Sequence, residues 1–270
     1  MSRSADPVTS GTKPTGAARA GTGRAGPSAQ APPVLSAHGI HRRFGSLVVL
    51  EGIDLTLAPG EALGIVGPNG AGKTTLLDIL SGAQTPSEGS VTFQGQDVTR
   101  WKADRRCRGG IGRSHQVPRP FTGMTTYENV LVASVQGGAH RRRAAQRHAL
   151  DVLERCGMLA QANRPAAALT LLDRKRLEMA RALATDPQVL LLDEIAGGLT
   201  DAETDELIAT IQQLRADGIA VVWIEHVLHA LLRVIDRLVC LAQGRVLAEG
   251  APDAVMADPR VVEAYLGSAA

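Results

Sequence analysis

The chain has 270 residues, 44% apolar, 21% charged and only 3% aromatic, and its 29 Lys and Arg against 27 Asp and Glu leave a net charge of +2. These fractions are those of a soluble globular protein with room for a sizeable core, and they exclude wholesale disorder. No apolar run nears the roughly 18 residues that span a bilayer, and the start of the chain lacks the apolar stretch of a secretory leader.

Residues 1–33 hold five Gly and five Pro among Ala, Ser and Thr and carry a net +3, leaving −1 for everything after them. Such a segment buries too little to offset its ordering entropy and is expected to be a disordered tail. The body has no basic excess of the kind a nucleic-acid partner requires. From Val34 the texture changes. Residues 40–57 predict short alternating strands with turns at Gly45 and Gly52, and residues 61–66 a buried strand. A Gly-rich loop leads into a helix over 74–80, followed by a hairpin with Glu88-Gly89 between strands and a strand at 91–93. Residues 100–167 are mostly helical in texture, with basic runs at 105–108 and 140–143. Helices are then expected at 175–183, 202–214 and 227–234, and strands at 189–192, 220–224 and 238–241. That alternation implies an α/β fold with a parallel sheet covered on both faces. Trp101 and Trp223 read as core anchors. Cys107, Cys156 and Cys240 cannot all pair and lack metal-ligand spacing, so they read as reduced core thiols of a cytosolic protein.

Gly67-Pro68-Asn69-Gly70-Ala71-Gly72-Lys73-Thr74 matches G-x-x-x-x-G-K-[ST] in full. Glycines at this spacing let the backbone aim successive N–H groups at phosphate oxygens, at the positive end of the next helix. Lys73 then reaches the β- and γ-phosphates, and the Thr74 hydroxyl ligates Mg²⁺. The apolar strand over 189–192 ends in Asp193 and Glu194. A strand tip sets Asp193 beside the loop to hold Mg²⁺, and turns Glu194 to orient or deprotonate the attacking water. These features together point to hydrolysis of a nucleoside triphosphate rather than transfer of its phosphate.

At this point the sequence resembles the ATP-binding-cassette transporter ATPases, through residues 67–74, Gln116, residues 169–183, residues 190–194 and His226. Three further stretches resemble the ATPases of branched-chain amino-acid importers: GIGRSHQVPRPFTGMTTYENVLV at 110–132, IEH at 224–226 and LAEGAPDAVMADPRVVEAYLG at 247–267. The resemblance implies a P-loop ATPase domain over 34–267, with an antiparallel β region, a helical subdomain at 100–172 and a C-terminal segment at 250–270. It implies ATP and Mg²⁺ as cofactors. Nucleotide contacts then fall on Phe44, against the adenine, on the loop from Gly67 to Thr74 with Thr75, and on Thr170. Gln116 would contact Mg²⁺ and the water, and His226 the γ-phosphate. The implied partners are two transmembrane permease subunits, a second, similar ATPase in a heterodimer or homodimer, and a solute-binding protein. The chain itself would lie in the cytoplasm, peripheral on the inner face of the cell membrane.

The family's Leu-Ser-Gly-Gly-Gln signature falls on Leu169-Thr170-Leu171-Leu172-Asp173. Thr170 keeps a hydroxyl, Leu172 replaces a glycine that permits close approach to phosphate, and Asp173 brings a carboxylate near an anion. Thr170 and Asp173 also fit a helix capping box. Ile195 replaces a proline, and Thr200 stands where the family often has Asp, with Asp201 one residue late. Each basic run is either a solvated face or a contact with lipid headgroups or a permease. Two rival readings are a nucleotide-gated regulatory subunit that turns ATP over weakly and a soluble P-loop kinase.

Overall fold

The computed structural model describes residues 32–138 and 140–266, so the expected tail over 1–33 lies outside them except for its last two residues. Two sheets organise the rest. An antiparallel sheet, in the order β2-β1-β4-β5, comprises β1 (Leu35–Phe44), β2 (Leu47–Leu57), β4 (Glu88–Phe93) and β5 (Gln96–Asp97). A six-stranded sheet runs β10-β9-β3-β8-β7-β6, from β3 (Ala62–Val66), β6 (Ile111–Arg113), β7 (Val189–Asp193), β8 (Ala220–Ile224), β9 (Arg237–Ala242) and β10 (Arg245–Gly250). Its strands are parallel except β10, which turns back along β9.

The central strands are buried on both faces, as parallel strands require, and their side chains alternate between two cores. Leu63 and Ile65 of β3, Val189 and Leu191 of β7, and Val222 and Ile224 of β8 face the core shared with the antiparallel sheet and α1 (Lys73–Ser81). Leu190, Leu192, Val221 and Trp223 face the opposite core. That second core is closed by α3 (Thr126–Gln136), α4 (Arg143–Arg155), α5 (Leu171–Leu183) and α6 (Asp201–Ala216). The short helices α2 (Ala103–Gly109), α7 (Leu228–Leu231), α8 (Pro252–Met256) and α9 (Pro259–Leu266), with 3-10 turns at Leu159–Gln161 and Ala166–Ala168, complete the element order. No helix among the described residues is long and apolar enough to cross a membrane.

Several details depart from the sequence reading. Gly45 turns the chain as expected, but Gly52 lies inside β2, at φ 65, where the β1–β2 register slips. It is a bulge rather than a turn, and glycine tolerates that left-handed conformation without a Cβ clash. Glu88 and Gly89 open β4, and the hairpin to β5 turns at Gln94-Gly95 instead. β6, inside the stretch expected to be helical, is an edge strand of the main sheet paired with β7; three residues are too few to show a period. Arg106 belongs to no solvated basic face: it is 1% exposed and donates from Nη1 to Ile79 O (2.6 Å) and Leu80 O (2.8 Å), and from Nη2 to Val98 O (2.8 Å) and Thr99 O (3.1 Å). One guanidinium thus serves two carbonyls in the last turn of α1, and burial lowers its pKa to about 10. Trp223 is a core anchor, whereas Trp101 is half-buried with Arg105 stacked 3.8 Å above its ring. The three thiols are free, and burial pushes that of Cys156 up to about 12.

Candidate nucleotide site

β3 runs out at Val66 into the glycine loop, and the backbone there admits little else. A Cβ on Gly67 (φ 146) would stand 2.0 Å from Leu241 O, and one on Gly72 (φ 99) would stand 2.6 Å from Leu50 Cδ2. Gly72 is the N-cap of α1 with no side-chain capping bond, and the first turn of α1 holds no acidic residue. The helix therefore begins with bare N–H groups at the positive end of its dipole, which is the arrangement that receives phosphate. Lys73 is buried and curls back over the loop, donating from Nζ to Gly67 O (2.7 Å) and Pro68 O (3.1 Å). Burial lowers its pKa, against the opposing pull of Glu194, Cys240 and Asp193.

The open cleft over this loop, about 350 Å³, is lined by residues 69–75 together with Leu47, Val49, Glu194 and His226. Phe44 does not line it. That ring is exposed at the end of β1, paired in register with Leu47 and covered on one face by the Arg42 guanidinium at 4.4 Å. The apolar wall belongs to Leu47 and Val49, which β-strand alternation alone does not mark as special.

β7 delivers the two carboxylates to the loop, and they differ in kind. Asp193 is 3% exposed; Arg113 Nη2 approaches its Oδ2 at 3.4 Å, while Oδ1 has no hydrogen-bond partner among the described residues. Burial raises its pKa, with Arg113 pulling the other way. An orphaned buried acceptor of this kind is chemically suited to a cation. Glu194 sits at φ 47, a strained conformation for a non-glycine residue. It is held by its N–H to Ile224 O (2.9 Å) and by Lys175 Nζ donating to its carbonyl (3.2 Å). Its carboxylate meets His226 Nε2 at 2.6 Å through Oε1 and accepts from Gln116 Nε2 through Oε2. Gln116 and His226, separate candidates in the sequence, thus converge on the Glu194 carboxylate.

Sequence reasoning misses the buried Glu225. Its Oε2 accepts from Ala196 N (2.9 Å) and its Oε1 from His226 N (3.0 Å), clamping the turn after β7 to the turn after β8. A buried carboxylate with only backbone partners is invisible without the fold, although its place beside His226 is a usable hint. Thr200 also finds a local use, as N-cap of α6 in a full capping box with Glu203.

The signature segment differs from expectation in two respects. Thr170 caps α5, accepting from Asp173 N at 3.2 Å, but the Asp173 carboxylate does not return to the cap; it accepts from Gln161 Nε2 at 3.1 Å. Leu172 is 8% exposed and turned inward, so it is not the obstructing leucine. Leu171, at 48%, is the one that stands in solvent.

A strand, an uncapped glycine loop and a helix, set beside a strand-tip carboxylate pair, define a P-loop nucleoside triphosphatase. Known proteins agree and narrow the class. The ABC transporter family matches residues 50–197, and the branched-chain amino acid ATP-binding cassette transporter family matches residues 245–270. The high-affinity branched-chain amino acid transport ATP-binding protein LivG of Escherichia coli K12 is 38% identical over 252 residues, 88% of this chain and 99% of that protein. BraF of Pseudomonas aeruginosa, with the same description, is 36% identical over the same coverage. The crystal structure of an ABC transporter ATP-binding cassette in its ADP conformation superposes with a TM-score of 0.82 at 30% identity, covering 88% of this chain and 100% of that one. A nucleotide-free cassette gives 0.81 at 29%, covering 86% and 98%. The chain belongs to the ABC transporter family, and it is an ATP-binding, ATP-hydrolysing subunit.

Proposed function

We propose that this chain powers an importer of branched-chain amino acids or related small solutes. The named relatives, similar along 88% of the chain, carry that reading. It would work in the cytoplasm, on the inner face of the membrane, against two permease subunits fed by a solute-binding protein. The apolar groove between α2 and α3, edged by Phe121, Val132 and Arg181, supports docking of a permease there. Co-expression with the permease and binding subunits of its own transport system, followed by uptake of labelled leucine, isoleucine and valine into vesicles, tests the solute. ATP-dependent uptake of all three is expected; uptake of none, with vesicles that do hydrolyse ATP, overturns branched-chain amino acids as the solute.

In this reading Lys73 holds the β- and γ-phosphates, and residues 67–75 supply backbone and hydroxyl donors. Phe44 extends the adenine side of the cleft beyond Leu47 and Val49. Thr74, Asp193 and Gln116 hold Mg²⁺, which neutralises charge on the β- and γ-oxygens; the unpartnered Oδ1 of Asp193 supports its share. Glu194 takes a proton from the attacking water, and His226 braces that carboxylate and faces the γ-phosphate.

The signature segment supports an unequal pair. It would face ATP held by a second ATPase, and its hydroxyl is already engaged as a helix cap while Leu171 protrudes. With a partner bearing an intact signature, ATP on this chain hydrolyses normally and the opposite site lags. A weakly hydrolysing homodimer is the second reading, favoured by that same exposed leucine. Phosphate release by the chain alone, against release with its partner ATPase, separates them: brisk turnover alone rules out both, and turnover that appears only with the partner establishes the heterodimer.

A further inference from the structure

Away from the nucleotide cleft, three side chains from three segments converge. His140 lies between α3 and α4, His148 lies on α4, and Asp186 lies in the turn from α5 to β7. The two imidazole rings are 4.3 Å apart, centroid to centroid, and tilted by 34°. His140 Nε2 pairs with Asp186 Oδ2, and His148 Nε2 lies 3.1 Å from Asp186 Oδ1. That second approach is not aligned as a hydrogen bond, and the nitrogen, closed to solvent, has no hydrogen-bond partner among the described residues.

Each member is held by its backbone. A Cβ on Gly138 would lie 2.9 Å from His140 Cδ2 and 2.7 Å from Ala184 O, so only glycine lets the first ring settle there. His140 N donates to Ser134 O at 3.2 Å. Asp186 adopts φ 53, a conformation that Asp and Asn tolerate better than other side chains, and its N–H donates to Leu183 O at 3.1 Å. Two imidazoles and one carboxylate are the donor set of borderline-soft divalent ions rather than of Mg²⁺ or Ca²⁺. The donor atoms lie within 4.8 Å of one another. Ligands at about 2.0–2.2 Å from one tetrahedral ion sit about 3.4 Å apart, so small side-chain rotations close the set.

We propose that His140, His148 and Asp186 bind one divalent transition-metal ion of the Zn²⁺ class, leaving the fourth position to water. The ion joins α4 of the helical region to the turn that feeds β7, the strand ending in Asp193. It therefore acts as a staple between helical region and sheet, separate from the nucleotide and independent of the transported solute.

The test uses tag-free full chain, stripped with chelator, with Zn²⁺ followed by calorimetry and Co²⁺ by visible absorption. One ion per chain is expected, unaffected by millimolar Mg²⁺, with Tm raised by roughly 5–10 °C at a hundredfold excess over Kd. Asp186→Asn, which suits the left-handed backbone, and His148→Gln should each weaken Zn²⁺ binding at least tenfold and abolish the tetrahedral Co²⁺ band. ATP binding by both variants should remain, which verifies their folding. No Zn²⁺ binding by the parent chain below about 100 μM overturns the proposal. So does binding that survives in both variants, which would put the ion elsewhere, for example at Glu194 and His226.

Discussion

Two helix starts in this protein are built in opposite ways. α1 begins at Gly72 with no side-chain cap and no acidic residue in its first turn, whereas α5 begins at Thr170, whose hydroxyl accepts from Asp173 N, with Asp173 in its first turn. The first leaves its N–H groups and positive dipole end for a phosphate from outside. The second satisfies itself from its own chain and adds a negative charge. The same physics that makes a helix start bind anions is exploited in one place and largely neutralised in the other. The start of α1 is therefore better equipped to receive a phosphate than the start of α5.

The strongest way to break that contrast is to disable the well-equipped end. Glu194→Gln should lower kcat for phosphate release by about 10²–10⁴-fold, the range of a lost general base, while a fluorescent ATP analogue still binds. Turnover within tenfold of the parent would remove Glu194 from that role.

Next in size is the support behind α1. Arg106→Leu withdraws a buried guanidinium from four carbonyls, at a cost of about 3 kcal/mol or more. Thermal unfolding should show Tm falling by about 6–12 °C. An unchanged Tm would mean that water takes over those carbonyls.

Asp193→Asn sharpens the electrostatic side. The folded pKa of Asp193 is raised, so between the ordinary carboxylate value and the raised one the folded state binds more protons than the unfolded state. Its contribution therefore favours folding at low pH and is lost as pH rises through the folded pKa. The Asn variant, free of the buried charge, should be more stable than the parent without nucleotide at neutral pH, with the advantage shrinking in acid, while its turnover collapses. Urea titrations at pH 4, 5 and 7 measure this; a variant destabilised equally at all three would contradict it.

The smallest effect belongs to α5. Thr170→Ala should cost about 0.5–2 kcal/mol of stability for the lost cap and leave the chain's own nucleotide affinity unchanged. If turnover in the two-ATPase complex drops far beyond what that stability loss explains, the hydroxyl also serves the neighbour's phosphate.

The phosphate loop was legible from residues alone because its chemistry is local: backbone conformation, one lysine and one hydroxyl are contiguous in the chain. The double alternation of β7 and β8 was legible too, since strands buried on both faces have to be apolar throughout. β6 was not, because three residues show no period and its strand character comes from pairing with β7. Gly52 was misread because a bulge and a turn use the same glycine conformation, and only the partner strand distinguishes them.

What the sequence determined by itself, then, was the kind of reaction and the contiguous residues proposed to carry it: glycine loop, Lys73, Thr74, Asp193, Glu194. Tertiary structure decided how those residues stand to one another. Gln116, Glu194 and His226 are separated along the chain and meet because β6, β7 and β8 are neighbours in the sheet. The same holds for Glu225 clamping two turns, for Arg106 closing the end of α1, and for Leu171 rather than Leu172 facing outward. Each of these depends on which side of a helix or sheet a residue faces, and that is set by long-range packing, which no short window of sequence contains.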